Sequence, residues 1–227
     1  MPDSAAKPKI LFVALSLDRG GTEQHLAAVL PRLKKRGWPV TIYCLTRPGE
    51  LADLVASTGV KVISLSNKEG PHSQGRLGAV QLIHSAFKLF HLMWREAPRI
   101  VHCYLPAPYL VGGTFSLILR SPIRIMSRRN LNAYLAKRPI LAKYELWLHR
   151  RMTAVLGNSL RIVDELIHEE GCDPAKVGLI RNGVDLARVR PVAERRDIRM
   201  RLDISDKDFV GVIVSNIIPY KGHADLI

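Results

Sequence analysis

Apolar residues fall along the chain in two alternating rhythms. Short unbroken apolar runs lead into polar or glycine-bearing turns. Longer segments follow in which apolar residues recur every three or four positions. The first rhythm predicts buried strands and the second amphipathic helices. Strands are predicted over Ile10–Leu15, Val40–Leu45, Val60–Leu65, Ile100–Tyr104, Ile123–Ser127, Ala154–Leu156 and Val177–Ile180. Helices are predicted over Thr22–Arg36, Glu50–Ser57, Arg76–Glu96, Tyr109–Leu119, Ile140–Arg151 and Leu160–Glu169. Leu26, Val29, Leu30 and Leu33 share a face of the first helix, and Pro31 costs it a hydrogen bond. Strands that alternate with helices give an α/β fold: a Rossmann-like, doubly wound, mainly parallel sheet.

The rhythm breaks at "NGVDLARVRPVAERRD", which reads as a linker opened by a tight Asn182-Gly183 turn. A helix over Ala193–Leu202 and a strand from Phe209 to Val214 then open a second domain. The predicted organisation is residues 1–184 as the first domain, 185–207 as linker and helix, and 208–227 as the start of a second Rossmann-like domain. A helix stub at the end cannot meet its own nucleation cost, so the chain reads as a fragment.

Composition narrows the class. Nearly half of the 227 residues are apolar, so the chain can bury a core. The net charge of +14 calls for an anionic partner: a membrane surface, a phosphorylated small molecule or nucleic acid. No helix-turn-helix, zinc-site or RNA-reading aromatic pattern accompanies the charge, which argues against nucleic acid. Cys44, Cys103 and Cys172 are far apart and sit in or near apolar runs, as reduced thiols of a cytoplasmic protein do. Lys7 and Lys9 ahead of "ILFVALSL" imitate a signal peptide, but no small-residue cleavage site follows. No apolar run reaches the ~18 residues of a membrane span.

In a parallel sheet, ligands bind beyond the carboxyl ends of the strands. After the first strand, "DRGGTEQHL" puts Gly20 and Gly21 before a helix N-terminus, which is either an anion site or simply a tight turn. His102, in the fourth strand, is either a ligand-facing polar group or base, or a hydrogen-bonded core histidine. After the fifth strand, "SRRNLNAY" offers Arg128, Arg129, Asn130, Asn132 and Tyr134. Guanidinium groups suit phosphate or carboxylate; amides and phenols suit sugar hydroxyls. From Leu119 to Arg151 there are nine Lys or Arg against one Glu, interleaved with Tyr144, Trp147 and Leu148. That mixture fits an anionic membrane better than a merely solvated face. Phe87, Phe90, Leu92 and Trp94 among Lys88 and Arg95 extend the same pattern. In "SNIIPYKG", Lys221 sits in the loop after the second domain's first strand.

Together, "RGGTEQHL", "IVHCYLP", "SRRNLNAY", "VLGNS", "IRNGVD" and "NIIPYKGH", in this order, resemble family 4 glycosyltransferases, most closely the bacterial members that build cell-surface polysaccharide or lipopolysaccharide. The resemblance covers nearly the whole chain. It implies the GT-B fold, in which an acceptor-side domain faces a donor-binding domain. It also implies retaining transfer of sugar from a nucleotide-sugar donor to a lipid-linked or polysaccharide acceptor. Neither metal nor other cofactor is needed, because cationic side chains and helix dipoles stabilise the leaving diphosphate.

Carried over, Gly20 and Gly21 approach the donor's diphosphate or the acceptor, and His102 takes the first position of the family's His-x-His. Arg128, and with it Arg129, Asn130, Asn132 and Tyr134, lies on the acceptor side. Asn158 and Ser159 face the cleft, Asn182 and Gly183 make the interdomain turn, and Asn216 and Lys221 lie at the donor phosphate. Three departures stand out: Tyr104 replaces the second His, Asn216 replaces a frequent Arg, and the family's E-x7-E glutamate pair is missing. The implied protein works at the cytoplasmic face of a membrane, and the 227-residue chain is expected not to turn over by itself. A non-catalytic membrane- or glycan-binding module, or one half of a split enzyme, is the alternative.

Overall fold

The computed structural model describes residues 7–65, 78–131, 138–183, 193–215, 217 and 222–226. The chain divides into two units, Met1–Val184 and Asp185–Ile227.

In the first unit, β1 (Ile10–Ala14), β2 (Val40–Cys44), β3 (Lys61–Ser64), β4 (Ile100–Tyr104), β5 (Ile123–Arg128), β6 (Ala154–Gly157) and β7 (Val177–Leu179) form one sheet. Every pairing is parallel, in the order β3-β2-β1-β4-β5-β6-β7. All five residues of β1 are buried, as expected of a central strand with helices on both faces. Ile10 is in register with Val40 on one side and Ile100 on the other, so strand order reverses between β1 and β4. A crevice at the carboxyl edge of these strands follows from that reversal.

Helices α1 (Gly21–Lys35) and α2 (Ala52–Ala56) cover one face, packing Leu26, Leu30 and Val55 on Phe12, Ile42 and Cys44. On the opposite face lie α3 (Ala79–Glu96), α4 (Pro106–Ile118), α5 (Pro139–His149) and α6 (Leu160–Asp164). Their Leu89, Met93, Tyr109, Leu148 and Ile162 pack on Val13, Val101, Met126 and Val155. Pro31 sits inside α1 without ending it, because the buried Leu26 and Leu30 hold the helix across the missing donor. The helix predicted over Leu160–Glu169 changes pitch: its second half, Glu165–Glu169, is a π-helical turn.

Two glycines set the site's floor. A Cβ on Gly112 of α4 would stand 2.8 Å from Cys103 Sγ, so only glycine lets α4 press so closely on β4. Gly49 has φ of +86°, and a Cβ there would meet the Leu17 backbone at 2.3 Å. The turn it permits carries Pro48 O to Leu17 N at 2.9 Å, while Leu51 N donates to Leu17 O at 2.8 Å. The loop after β2 thereby clamps the loop after β1.

In the second unit, α7 (Arg195–Arg201) falls within the predicted helix Ala193–Leu202. The buried Arg199 donates to Asp208 O at 2.8 Å. The predicted strand from Phe209 to Val214 is not formed. Val212 and Val214 are largely exposed, and no described residue offers this stretch a ladder. A strand is stabilised only by its neighbour, so apolarity alone does not make this segment a strand. A helix start, α8 (His223–Leu226), follows.

Candidate functional site

The carboxyl ends of β1, β4 and β5 bring a polar cluster together on the α1 side of the sheet. Side chains alternate along β4, so His102 and Tyr104 share a face while Cys103 enters the opposite core. The two rings lie 4.4 Å apart between centroids, and Phe12 packs on His102 at 5.3 Å. His102 is buried, with Nε2 2.8 Å from Ser127 Oγ of β5. Burial, helped by the charge of Arg129 and by His25, pushes the His102 imidazole down to about 3. It is therefore neutral at physiological pH and already hydrogen-bonded, which is the geometry of the core-histidine alternative.

His25 closes the cluster from above. Thr22, His25, Leu26 and Leu30 are the buried positions of α1. The stripe is polar in its first turn, over the sheet's edge, and apolar further on, over its middle. The His25 ring lies 6.3 Å from that of Tyr104. Burial first, and the Arg129 charge second, lower its pKa to about 4. Its Nδ1 has no hydrogen-bond partner among the described residues.

Arg129 follows β5 and lays its guanidinium 5.1 Å from the centre of the Tyr104 ring. It also donates to Asn182 Oδ1. Burial raises the Tyr104 phenol's pKa, and the charge of Arg129 works against that.

Gly20 caps α1 in an extended conformation, without a side-chain cap bond, and Gly21 opens the helix. A Cβ on Gly20 would meet the Glu23 carboxylate at 2.3 Å, so that carboxylate lies over the helix N-terminus where an anion would arrive. Burial raises the Glu23 carboxyl above its usual range. Asp18 in the same loop accepts from Ser16 Oγ at 2.6 Å and from Arg47 Nη2 at 3.0 Å.

Arg128 requires a correction. It does not line an acceptor cleft: it is fully buried on the other face of β5, 2.7 Å from Glu145 and bonded to Glu170. His149 joins them, 3.1 Å from Glu170 and 2.9 Å from the Tyr109 hydroxyl. Alternation at the end of β5 turns Arg128 inward, where two carboxylates compensate its charge. Asn130 is exposed beside Arg129, and Ser159 is a helix cap, accepting from Ile162 N at 3.3 Å. Asn158 follows β6, and Asn182 and Gly183 are exposed; the residue that would close their predicted turn, 184, lies outside the described residues. Asn132, Tyr134, Asn216 and Lys221 lie outside the described residues. His25 was hidden in the sequence within an apolar stripe, although it lies three residues after Thr22 and four before Val29, on the same helix face.

The sequence profile of glycosyltransferase family 4 matches residues 19–188, which take in α1, β4, β5 and Arg129. The chain belongs to glycosyltransferase family 4. Solved structures of this family's fold superpose on it. HepE from Anabaena, in complex with UDP and glucose, gives a TM-score of 0.65 at 18% identity over 86% of this chain and 50% of its own. A glycosyltransferase from Rickettsia africae gives 0.65 at 16% identity over 97% of this chain and 56% of its own. The lipopolysaccharide outer core galactosyltransferase WaaB gives 0.56 at 14% identity over 78% of this chain and 46% of its own. The chain spans about half the length of these structures. No curated protein sequence matches it.

Proposed function

We propose that this family 4 protein takes part in retaining transfer of sugar from a nucleotide-sugar donor to a lipid-linked or polysaccharide acceptor. The carboxyl edge of β1, β4 and β5 is then the acceptor side. The observation that carries this reading is the family match over residues 19–188, which takes in α1, β4 and β5. HepE holds UDP and glucose, which supports a UDP-sugar as donor. In the transfer, an acceptor hydroxyl oxygen bonds to the anomeric carbon. The carbon–oxygen bond to the diphosphate breaks, its electron pair leaves with the nucleotide, and the acceptor hydroxyl's proton passes to the departing diphosphate oxygen. Arg129 and Asn130 orient the acceptor, neutral His102 steadies Ser127 beneath Tyr104, and Asn216 and Lys221 serve the donor phosphate without a metal.

A membrane surface fits the opposite face. Val80, Phe87 and Trp94 of α3 and Ile140 and Trp147 of α5 are exposed, and Arg151 stacks 3.8 Å over Trp147. Apolar anchors among cations favour anionic lipid by ~1 kcal/mol per nearby cation. Among the described residues no helix is long and apolar enough to cross a membrane.

The test is transfer of radiolabelled sugar from UDP-sugars to extracted lipid or polymer acceptors. The expected product keeps the donor's anomeric configuration. Absence of transfer from every nucleotide sugar tried would leave a binding module. Sedimentation with anionic vesicles is expected to exceed that with neutral ones, and equal sedimentation would remove the membrane role.

A further inference from the structure

Two unmet demands meet at one place on the carboxyl edge. The first is a charge. Arg129 is half-buried, yet among the described residues no carboxylate lies within ion-pairing distance of it. Its neighbours are the Asn182 carbonyl oxygen and the face of the Tyr104 ring, both neutral. A guanidinium withdrawn from water is unfavourable until an anion compensates it. The second is a hydrogen bond. His25 is 6% exposed, and its Nδ1 has no partner among the described residues. An unsatisfied buried ring nitrogen is likewise unfavourable. Both groups border the same ring: Tyr104 lies 6.3 Å from His25 and 5.1 Å from Arg129.

One kind of ligand answers both demands. A sugar hydroxyl could satisfy the imidazole but would leave the guanidinium uncompensated. A carboxylate or phosphate ester has several acceptor lone pairs and a full charge, and guanidinium forks match its planar oxygens. We propose that Arg129, His25 and Tyr104 form a subsite for an oxyanion carried by the acceptor, either a uronic-acid carboxylate or a phosphate ester. The Arg129 fork takes the oxyanion in charge-assisted bonds, and Asn182 holds the fork in place. His25 donates the remaining bond from Nδ1, and the Tyr104 ring forms the wall. The inference rests on the reading of this edge as the acceptor side.

The test is a titration of the full 227-residue chain followed by imidazole 15N shifts, with methyl glucuronide, glucose 6-phosphate, neutral methyl glucoside and UDP as probes. Saturable shifts of His25 are expected with at least one of the two monosaccharide anions and not with the neutral glycoside. Arg129→Gln should weaken that binding by about tenfold or more, as loss of a charged hydrogen bond does, with Arg129→Lys in between. Equal shifts from the neutral glycoside would overturn the proposal. So would a response to UDP alone, which would make the oxyanion the donor's. Because the decisive shifts are read in the unsubstituted protein, the result does not depend on how the variants fold. Transfer equally efficient to neutral and anionic acceptors would refute the subsite and leave the glycosyltransferase reading intact. Anion binding at His25 without any transfer would do the reverse.

Discussion

Arg128 and Arg129 are neighbours in the chain and opposites in circumstance. Arg128 is fully buried on the α5 side of β5, held by Glu145 and Glu170. Arg129, one residue on, reaches the α1 side and meets only neutral partners. The backbone's two-residue period separates them, and the groups each one meets decide what it does. A compensated buried charge is structure. An uncompensated one at an edge is available for binding.

The comparison breaks if the two arginines prove interchangeable. The largest expected effect is at Arg128. Arg128→Met leaves two buried carboxylates without their cation and should cost about 3–5 kcal/mol in urea denaturation, whereas Arg129→Met should change stability by less than about 1 kcal/mol. Equal losses would mean that Arg129 is structural too.

Acid sharpens the contrast next. The folded His25 and His102 lie near 4 and 3, against an ordinary 6.5. A base whose folded pKa is depressed favours the folded state while it is neutral, so stability is full above about 6.5 and falls as pH drops. Between pH 7.5 and 5 each histidine should remove about 2 kcal/mol, and His25→Gln should flatten its share of the slope. The other region responds at lower pH. Despite burial, bonds from His149 and the Arg128 charge hold Glu170 below its usual 4.5, so its contribution is lost as pH falls through that depressed value. Unfolding free energy measured across this range should fall in two stages, and a flat profile would contradict both environments.

A smaller effect is expected at Ser127→Ala, which leaves His102 Nε2 without its partner at a cost of about 1–2 kcal/mol. The smallest is at the exposed Lys9–Glu96 pair, where Lys9→Met should cost no more than about 1 kcal/mol.

Much of this architecture is legible without coordinates. β4 has the predicted bounds, Ile100–Tyr104, and α1 lies within one residue of prediction at each end, because buried strands and helix stripes print their periods directly in the sequence. What the periods omit is which face meets a ligand. Both arginines of "SRRN" read as acceptor-side cations, and only the helices covering β5 show that Arg128 faces inward. His25 lay hidden for the complementary reason: on a buried stripe, a histidine looks like core until its unpartnered nitrogen is seen. The run Val210–Val214 shows a third limit, since strand-like composition specifies no partner.

The central position of β1 has a consequence for how the chain comes to be made. Its first neighbour, Val40, follows Ile10 closely, but its second, Ile100, lies 90 residues on (100 − 10). At ~5–20 residues per second, the ribosome delivers that partner roughly 5–20 seconds later. Throughout that interval β1, apolar on both faces, presents an open edge. This makes the parallel β1–β2 half, joined through α1, the segment most exposed to mispairing during synthesis, and slow, non-local closure by β4 the step that ends the exposure.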